Sequence, residues 1–477
     1  MYDVAIIGGG VVGSLIAREL SRLKLEICVL EAQADCAMGA SGANSAIVHA
    51  GFDALPGSNK ALFNVAGNRM MPYVARELGV EYKRNGSLVV AFSDDDLVML
   101  QTLCARGLKN GVTGLSIVDK PALQALEPNI APEAVGALLA ETAGIVCPYG
   151  LNIAALGNAM DNGADAYFNF RVTEITHENG TFVITASNRA LVQARVIVNA
   201  AGTNSDDIAR LVGDDSFYVG ARKGEYVLLD RESGDLVSHT LFTCPSAAGK
   251  GVLVTPTPHG NLLVGPTSEE QEDKEDAATS REGLAFSVGR GKQLVARLPL
   301  YNTITSFAGL RAFSSAHDFI IGHCPTCRGV IHVAGIESPG LTSAPAIAVY
   351  VAELVKELLP AAKPNPAFNP IRVPTGFFAD MDTDEKNAFI KRYPAFGRIM
   401  CRCEEVTEGE LRYALQRNPV PHTLDGLKRR TRGGMGRCQG GFCQVPTSLL
   451  VQEVSGTGLC AVTKRGGGSY VYGGLTK

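Results

Sequence analysis

The chain has 477 residues, 46% of them hydrophobic, and a formal net charge of −4. That length accommodates about three domains with a large core, and so mild an acidity excludes general nucleic-acid binding. No apolar run reaches the roughly 18 residues of a spanning helix, and no basic-then-apolar leader precedes the first strand, so no signal peptide is expected. Twelve cysteines are too sparse for a disulfide scaffold. Four of them cluster near the C-terminus, and a reducing, cytoplasmic setting is expected.

Taken in order, Tyr2-Asp3-Val4-Ala5-Ile6-Ile7 reads as a strand feeding Gly8-Gly9-Gly10-Val11-Val12-Gly13 and then a helix-period segment. Gly8 permits the tight turn, Gly10 lets backbone approach a pyrophosphate, and Gly13 lets helix pack on strand. The helix N-terminus offers N–H groups and a positive dipole end to phosphate. A second apolar run ends at Glu31, placed to accept from a ribose hydroxyl. The loop from Ala37 to Ala46, containing Ser41, Asn44 and Ser45, is built of small residues that let a ligand lie close, and it leads to His49.

Residues 59–78 have helical periodicity, 86–92 read as a strand, and 94–109 as a helix capped by Ser93 or Asp94. A short helix starts near Asp119, and another covers about 151–163. Strands are expected near 167–175, which includes Val172, and at 181–186, joined by Asn179-Gly180. The strand ending in Asn199-Ala200-Ala201-Gly202 is expected to rejoin the first sheet and bring Ala201 and Gly202 to the dinucleotide. From Tyr218 to about Tyr301, short strands with turn signals at Pro256, Pro258 and Gly260 predict a mostly antiparallel sheet. Glu269 to Arg281 reads as a solvated loop or helix start. Two strands follow, at 318–322 and 330–335. Ser338-Pro339-Gly340-Leu341-Thr342 then turns into a helix of about 344–359.

The expected fold is α/β plus α+β. A Rossmann-like dinucleotide-binding domain (1–80, 145–215, 305–360) carries an inserted antiparallel-sheet domain (81–144, 216–304). A proline-rich linker (361–396), a small cysteine-bearing domain (397–455) and a Gly-rich tail (456–477) complete it.

Cys401-Arg402-Cys403 and Cys438 through Cys443 carry the second strong signal. A one-residue spacing fits structural zinc poorly. Gly433, Gly434, Gly436, Gly440 and Gly441 leave backbone N–H groups able to face cluster sulfurs, and Lys428, Arg429, Arg430, Arg432 and Arg437 could add positive charge. A 2Fe–2S cluster is favoured; zinc and plain buried cysteines stay open at this point. Cys324-Pro325-Thr326-Cys327, near His323 and His332, also has metal-like spacing but no second cysteine pair beside it.

A one-electron cluster beside a dinucleotide calls for a cofactor that exchanges two electrons for one, which is FAD rather than NAD. The turn at Ser338 to Thr342 puts a helix N-terminus where it can face the flavin's pyrimidine end. For alcohol oxidation His49 is the candidate base. Arg311 can grip a substrate phosphate or carboxylate through its planar fork, Lys250 is a second anion contact, and Tyr226 and His259 are possible pocket walls.

At these residues the chain resembles the D-amino-acid-oxidase-like flavoproteins, and within them the FAD-dependent glycerol-3-phosphate dehydrogenases. The resemblance is carried by Ile6 to Gly13, Ser41 to Gly51, Gly224-Glu225-Tyr226, Gly251 to Pro266, Gly309-Leu310-Arg311 and Gly335 to Pro345. Cys401 to Glu405 and Arg430 to Gly440 resemble a bacterioferritin-associated-ferredoxin-like 2Fe–2S domain. Together the two parts are similar to the large subunits of anaerobic glycerol-3-phosphate dehydrogenases. The resemblance implies His49 as catalytic base, Arg311 as substrate-anion contact, and Ser338 with the following turn beside flavin or substrate. It also implies an electron-transfer partner subunit, with membrane association through it. Ser41 to Gly51 and Gly335 to Leu341 are equally similar to L-2-hydroxyglutarate dehydrogenases, whose substrate is also an anionic secondary alcohol. A third expectation, of another class, is an FAD and iron–sulfur electron-transfer subunit without its own substrate.

Overall fold

The computed structural model describes residues 1–245 and 251–474; Lys250 lies outside them. Tyr2–Ile7 is a central strand because its inner residues are buried on both faces, as parallel sheets demand. Ile27–Leu30 pairs parallel on one side and Leu191–Asn199 on the other. Asp165–Tyr167 extends the sheet beyond Ile27–Leu30. On the far side, Leu191–Asn199 pairs antiparallel with Thr181–Ala186 and parallel with Val330–Ala334. The helices Val11–Leu20, Pro148–Asp161 and Gly340–Leu358 bury a shared core with this sheet.

The expected strand 167–175 is two strands, Asp165–Tyr167 and Val172–Glu178, broken where Asn169 takes a φ of 55°. The first runs parallel beside Ile27–Leu30, while the second forms the hairpin with Thr181–Ala186. The last helix of the first domain starts at Gly340, not 344.

The second sheet runs, in spatial order, Glu269–Gln271, Val219–Leu229, Leu262–Gly265, Leu253–Pro256, Thr240–Thr243, Ser87–Ala91, Gly136–Ala140 and Leu115–Asp119. The long strand Thr303–Ser314 pairs antiparallel with Val219–Leu229. The sheet is antiparallel except where Thr240–Thr243 meets Ser87–Ala91. One helix, Arg281–Leu294, follows the run Glu269 to Arg281 that reads as a loop or helix start, and its extent among these strands was not foreseen. Gly283, Gly289 and Gly291 weaken its helical signal. The tertiary fit compensates: a Cβ on Gly291 would stand 2.6 Å from Val264, and Ser287 Oγ donates to the Glu225 carbonyl at 3.1 Å.

The stretch expected as linker holds the helix Thr383–Arg392, started by a capping box of Asp382 and Glu385. Its Phe389 joins Phe377, Phe378 and Phe396 in an aromatic cluster that reaches Tyr413 of the last domain. The C-terminal unit has a two-strand ribbon, Ile399–Cys401 with Val406–Thr407, and the helices Glu408–Ala414, Leu424–Thr431 and Gln444–Ser455 around its own core. Among the described residues no helix is long and apolar enough to cross a membrane.

Candidate active site and iron–sulfur site

The glycine fingerprint forms a cradle. Gly8 has a φ of +113°, and a Cβ there would meet the Ala200 carbonyl at 2.3 Å, so Gly8 packs on the strand end leading to Ala201 and Gly202. A Cβ on Gly13 would stand 2.1 Å from the Gly8 carbonyl, which is the close helix–strand approach the motif requires. Beside the cradle, Glu31 Oε2 accepts from the Gly9 N–H at 2.7 Å and Oε1 from the Gln33 N–H at 2.8 Å. Burial pushes the Glu31 carboxyl upward, against those N–H groups. Ser41 Oγ accepts from the Val11 N–H at 2.9 Å, so it marks the helix N-terminus where a pyrophosphate would sit.

Asn44 serves its own loop: its amide donates to the carbonyls of Ala40 and Ser41, and its oxygen accepts from the Ala46 N–H. Val172 packs against the core cluster that includes Cys28 and Leu30, and Phe170 N–H donates to the Glu31 carbonyl at 2.8 Å. The segment therefore runs alongside Glu31. A Cβ on Gly10 would stand 3.3 Å from Ser41 Oγ, and one on Gly9 would stand 2.9 Å from Glu31 Oε2. The space above these glycines is a cradle for a dinucleotide that side chains would fill.

His49 enters from the small-residue loop and is fixed by its backbone. Its N–H donates to Thr342 Oγ1 at 2.9 Å, and its carbonyl accepts from Asn64 Nδ2 at 2.7 Å and Asn68 Nδ2 at 3.1 Å. The ring stacks on Phe242, with centroids 6.1 Å apart, and Nε2 lies 3.4 Å from Ser338 Oγ. Ser338 and Thr342 thus come to His49 from the start of one helix, with Gly340 and Leu341 between them in the chain. Asn64 and Asn68 were missed in the sequence. Their signal was there, since they are one helical turn apart on the inward face of Asn59–Leu78.

Arg311 lies on Thr303–Ser314 opposite Arg222. Its Nη2 donates to the Thr267 carbonyl at 2.5 Å and lies 3.4 Å from the Lys223 carbonyl, while its Nε is buried without a hydrogen-bond partner. Tyr226 stacks on Phe307 at 4.9 Å, and its hydroxyl is 3.0 Å from Ser45 Oγ. Burial pushes the Tyr226 phenol upward, with the Arg311 charge opposing. A Cβ on Gly309 would stand 1.9 Å from the Ala43 carbonyl, so this strand and the small-residue loop touch only because Gly309 has no side chain.

His259, read as a possible wall beside Tyr226, faces the C-terminal unit instead. The turn Thr257 to Gly260 joins two strands and points towards the C-terminal unit. His259 stacks there on Tyr149, at 6.4 Å, in a cavity of about 920 Å³ also lined by Arg231, Glu404 and Arg432. Burial, then the charges of Arg432 and Arg231, push its imidazole down to about 3. The unfolded chain therefore holds an extra proton between that value and the ordinary 6.5. Stability is expected to fall as pH drops through this window, and His259→Gln is expected to flatten the fall in thermal unfolding followed against pH.

The four candidate thiols converge. Cys403 Sγ is 3.7 Å from Cys438 Sγ, and the Gly434 N–H donates to Cys401 Sγ at 3.4 Å. Cys443 is buried beside Cys401, which pushes its thiol up to about 12, by burial first. The N–H of Phe442, with those of Gly440 and Gly441, lowers the Cys438 thiol. Paired sulfurs ringed by backbone N–H groups fit a 2Fe–2S cluster.

The basic run has a different use from the one expected. Arg429 and Arg430 pair with Asp35, Arg432 with Glu404, and Arg437 with Asp230 and Glu232. Most of this charge therefore docks the C-terminal unit on the rest of the chain. Cys324 forms no thiolate pair site: its Sγ is 3.6 Å from Asp214 Oδ2, which also meets His332 Nε2 at 3.1 Å. Asn199 Nδ2 faces His332 Nδ1 at 3.2 Å and donates to it, so Nε2 carries the proton and the group is a hydrogen-bonded network.

Residues 3–354 match the DAO family of FAD dependent oxidoreductases, and residues 399–453 match the BFD-like [2Fe-2S] binding domain. The chain belongs to the FAD dependent oxidoreductases, and it carries a 2Fe–2S domain at its C-terminal end. Over 478 aligned residues, all of this chain and 99% of the other, it is 44% identical to a glycerol 3-phosphate dehydrogenase of Caloramator mitchellensis. It is 26% identical to a subunit of the anaerobic glycerol-3-phosphate dehydrogenase of Escherichia coli, over 95% of this chain and 89% of that one. Among solved structures, the FAD-bound L-alpha-glycerophosphate oxidase of Mycoplasma pneumoniae superposes with a TM-score of 0.74. That match is 32% identical and covers 78% of this chain and 99% of that one.

Proposed function

We propose that this protein is an FAD-dependent dehydrogenase that oxidises sn-glycerol 3-phosphate to dihydroxyacetone phosphate in the pocket between His49 and Arg311. The observation that carries the reading is the buried, unpartnered Nε of Arg311, a charge-assisted donor waiting for an anion. Likeness to a glycerol 3-phosphate dehydrogenase over the full chain supports the substrate. Arg311 binds the phosphate, with Lys250 as second anion contact. His49 takes the hydroxyl proton, Ser338 orients its ring, and Tyr226 with Ser45 closes one wall. Gly8, Gly10, Gly13, Glu31 and Ser41 hold the cofactor's pyrophosphate and ribose, with Ala201, Gly202 and Val172 along it. Cys401, Cys403, Cys438 and Cys443 hold the cluster. When bound, FAD supplies the two-electron acceptor for hydride from the alcohol carbon, and the 2Fe–2S group supplies one-electron transfer.

A substrate panel with dye reduction tests the assignment. Glycerol 3-phosphate is expected to reduce the dye, and L-2-hydroxyglutarate is not. The reverse result assigns the hydroxyacid, and reduction by neither leaves an electron-transfer protein. The visible spectrum should carry the broad iron–sulfur absorption beneath the flavin bands; zinc in its place removes the cluster.

We infer in addition that electrons leave to a partner subunit. The relative in Escherichia coli is itself one subunit of an enzyme, and Cys403 and Phe442, the latter 86% exposed, both lie at the surface of the cysteine-bearing unit. A cytoplasmic protein that meets a membrane only through that partner fits this reading. Fractionation with and without the partner is the check.

A further inference from the structure

Between Glu31 and Ser41 the chain passes through Asp35, which is 1% exposed. The group that holds Asp35 comes from the other end of the molecule. Arg430 Nη1 donates to Asp35 Oδ2 at 2.8 Å and Nη2 to Oδ1 at 2.9 Å, a two-pronged pair. Arg429 Nη2 adds a third donor at 2.9 Å, and the Cys36 N–H a fourth. Arg430 is itself locked, with Nε on the Pro419 carbonyl at 3.0 Å and Nη1 on the Gly426 carbonyl at 2.9 Å. The fit is tight on both sides. A Cβ on Gly426 would stand 2.8 Å from Asp35 Oδ2, and one on Gly466 would stand 2.5 Å from the Ala34 Cβ.

The loop clasped in this way carries a cofactor contact at each end. Glu31 meets Gly9, and Ser41 meets the helix N-terminus at Val11. It also turns at Ala37, which has a φ of 57°. A loop of small residues has few contacts of its own to fix this path. We infer that Asp35 and Arg430 are a positioning pair for the FAD site, through which docking of the iron–sulfur domain organises the loop that carries Glu31 and Ser41. FAD affinity and docking of that domain are then one linked equilibrium. Linkage is reciprocal: if the docked domain tightens FAD, FAD must tighten the docked domain by the same factor.

The inference concerns cofactor binding and stands whichever alcohol is the substrate. The experiment uses the full chain with its cluster, stripped of flavin and titrated with FAD by fluorescence. Asp35→Asn keeps the shape, removes the charge and is expected to weaken FAD by about tenfold or more while iron content stays that of the wild type. Asp35→Asn/Arg430→Gln is expected to be no weaker than the worse single variant, because both remove one interaction. In the wild type, FAD is expected to slow hydrogen exchange in Leu424–Thr431, a helix outside the fingerprint. An FAD affinity within about twofold of wild type at full iron content overturns the inference, even if thermal stability falls. So does exchange in Leu424–Thr431 that ignores FAD. The wild-type exchange result decides the matter if the variants do not fold.

Discussion

Replacing His49 by alanine is expected to slow the bleaching of bound flavin by glycerol 3-phosphate by about 10²–10⁴-fold, the range for loss of a general base. The scaffold around the residue makes this a clean test. Three hydrogen bonds fix His49, from its own N–H to Thr342 and from Asn64 and Asn68 to its carbonyl, and all survive removal of the ring. The ring contributes its stacking on Phe242 and its Nε2 beside Ser338. Flavin content and folding should therefore change little while the rate collapses. Rapid mixing reads the rate directly. An unchanged rate at saturating substrate would remove His49 from proton transfer.

Arg311→Gln is expected to lower kcat/KM for glycerol 3-phosphate by about 10²–10³-fold, because a partly buried charge-assisted pair to the substrate phosphate is lost. Arg311→Lys is expected to fall between, since it keeps the charge but loses the fork. The side chain is already oriented by the carbonyls of Thr267 and Lys223, which leaves Nε for the ligand. Loss confined to KM would assign Arg311 to binding alone. Loss in kcat as well would mean that it also aligns the reacting carbon with His49. Neither effect on any alcohol would favour the electron-transfer reading.

The parts of this protein written in short stretches were legible in the sequence. The fingerprint is local, because strand, glycine turn, helix and Glu31 must lie within one βαβ unit to serve a pyrophosphate. The cysteine cluster was equally legible, because thiolate spacing and neighbouring glycines are themselves the chemistry. The inserted sheet was visible as strands and turns, but of the helix Arg281–Leu294 only a start was legible, because three glycines hide its period until it packs on Val264.

Other assignments depended on what lay across the fold. His259 had the composition of a pocket residue, yet its turn faces Tyr149 and the C-terminal unit. The basic run resembled a counter-charge for the cluster, yet Arg429, Arg430 and Arg437 reach Asp35 and Asp230, which are distant in sequence, and Arg432 meets Glu404 within its own unit. By itself, then, the sequence determined which cofactors the chain is built for, since cofactor chemistry is met by neighbouring residues. Only the tertiary structure decided which charges face a ligand and which hold domains together. An arginine's role depends on the carboxylate or carbonyl it meets, and here those partners are up to 395 positions away.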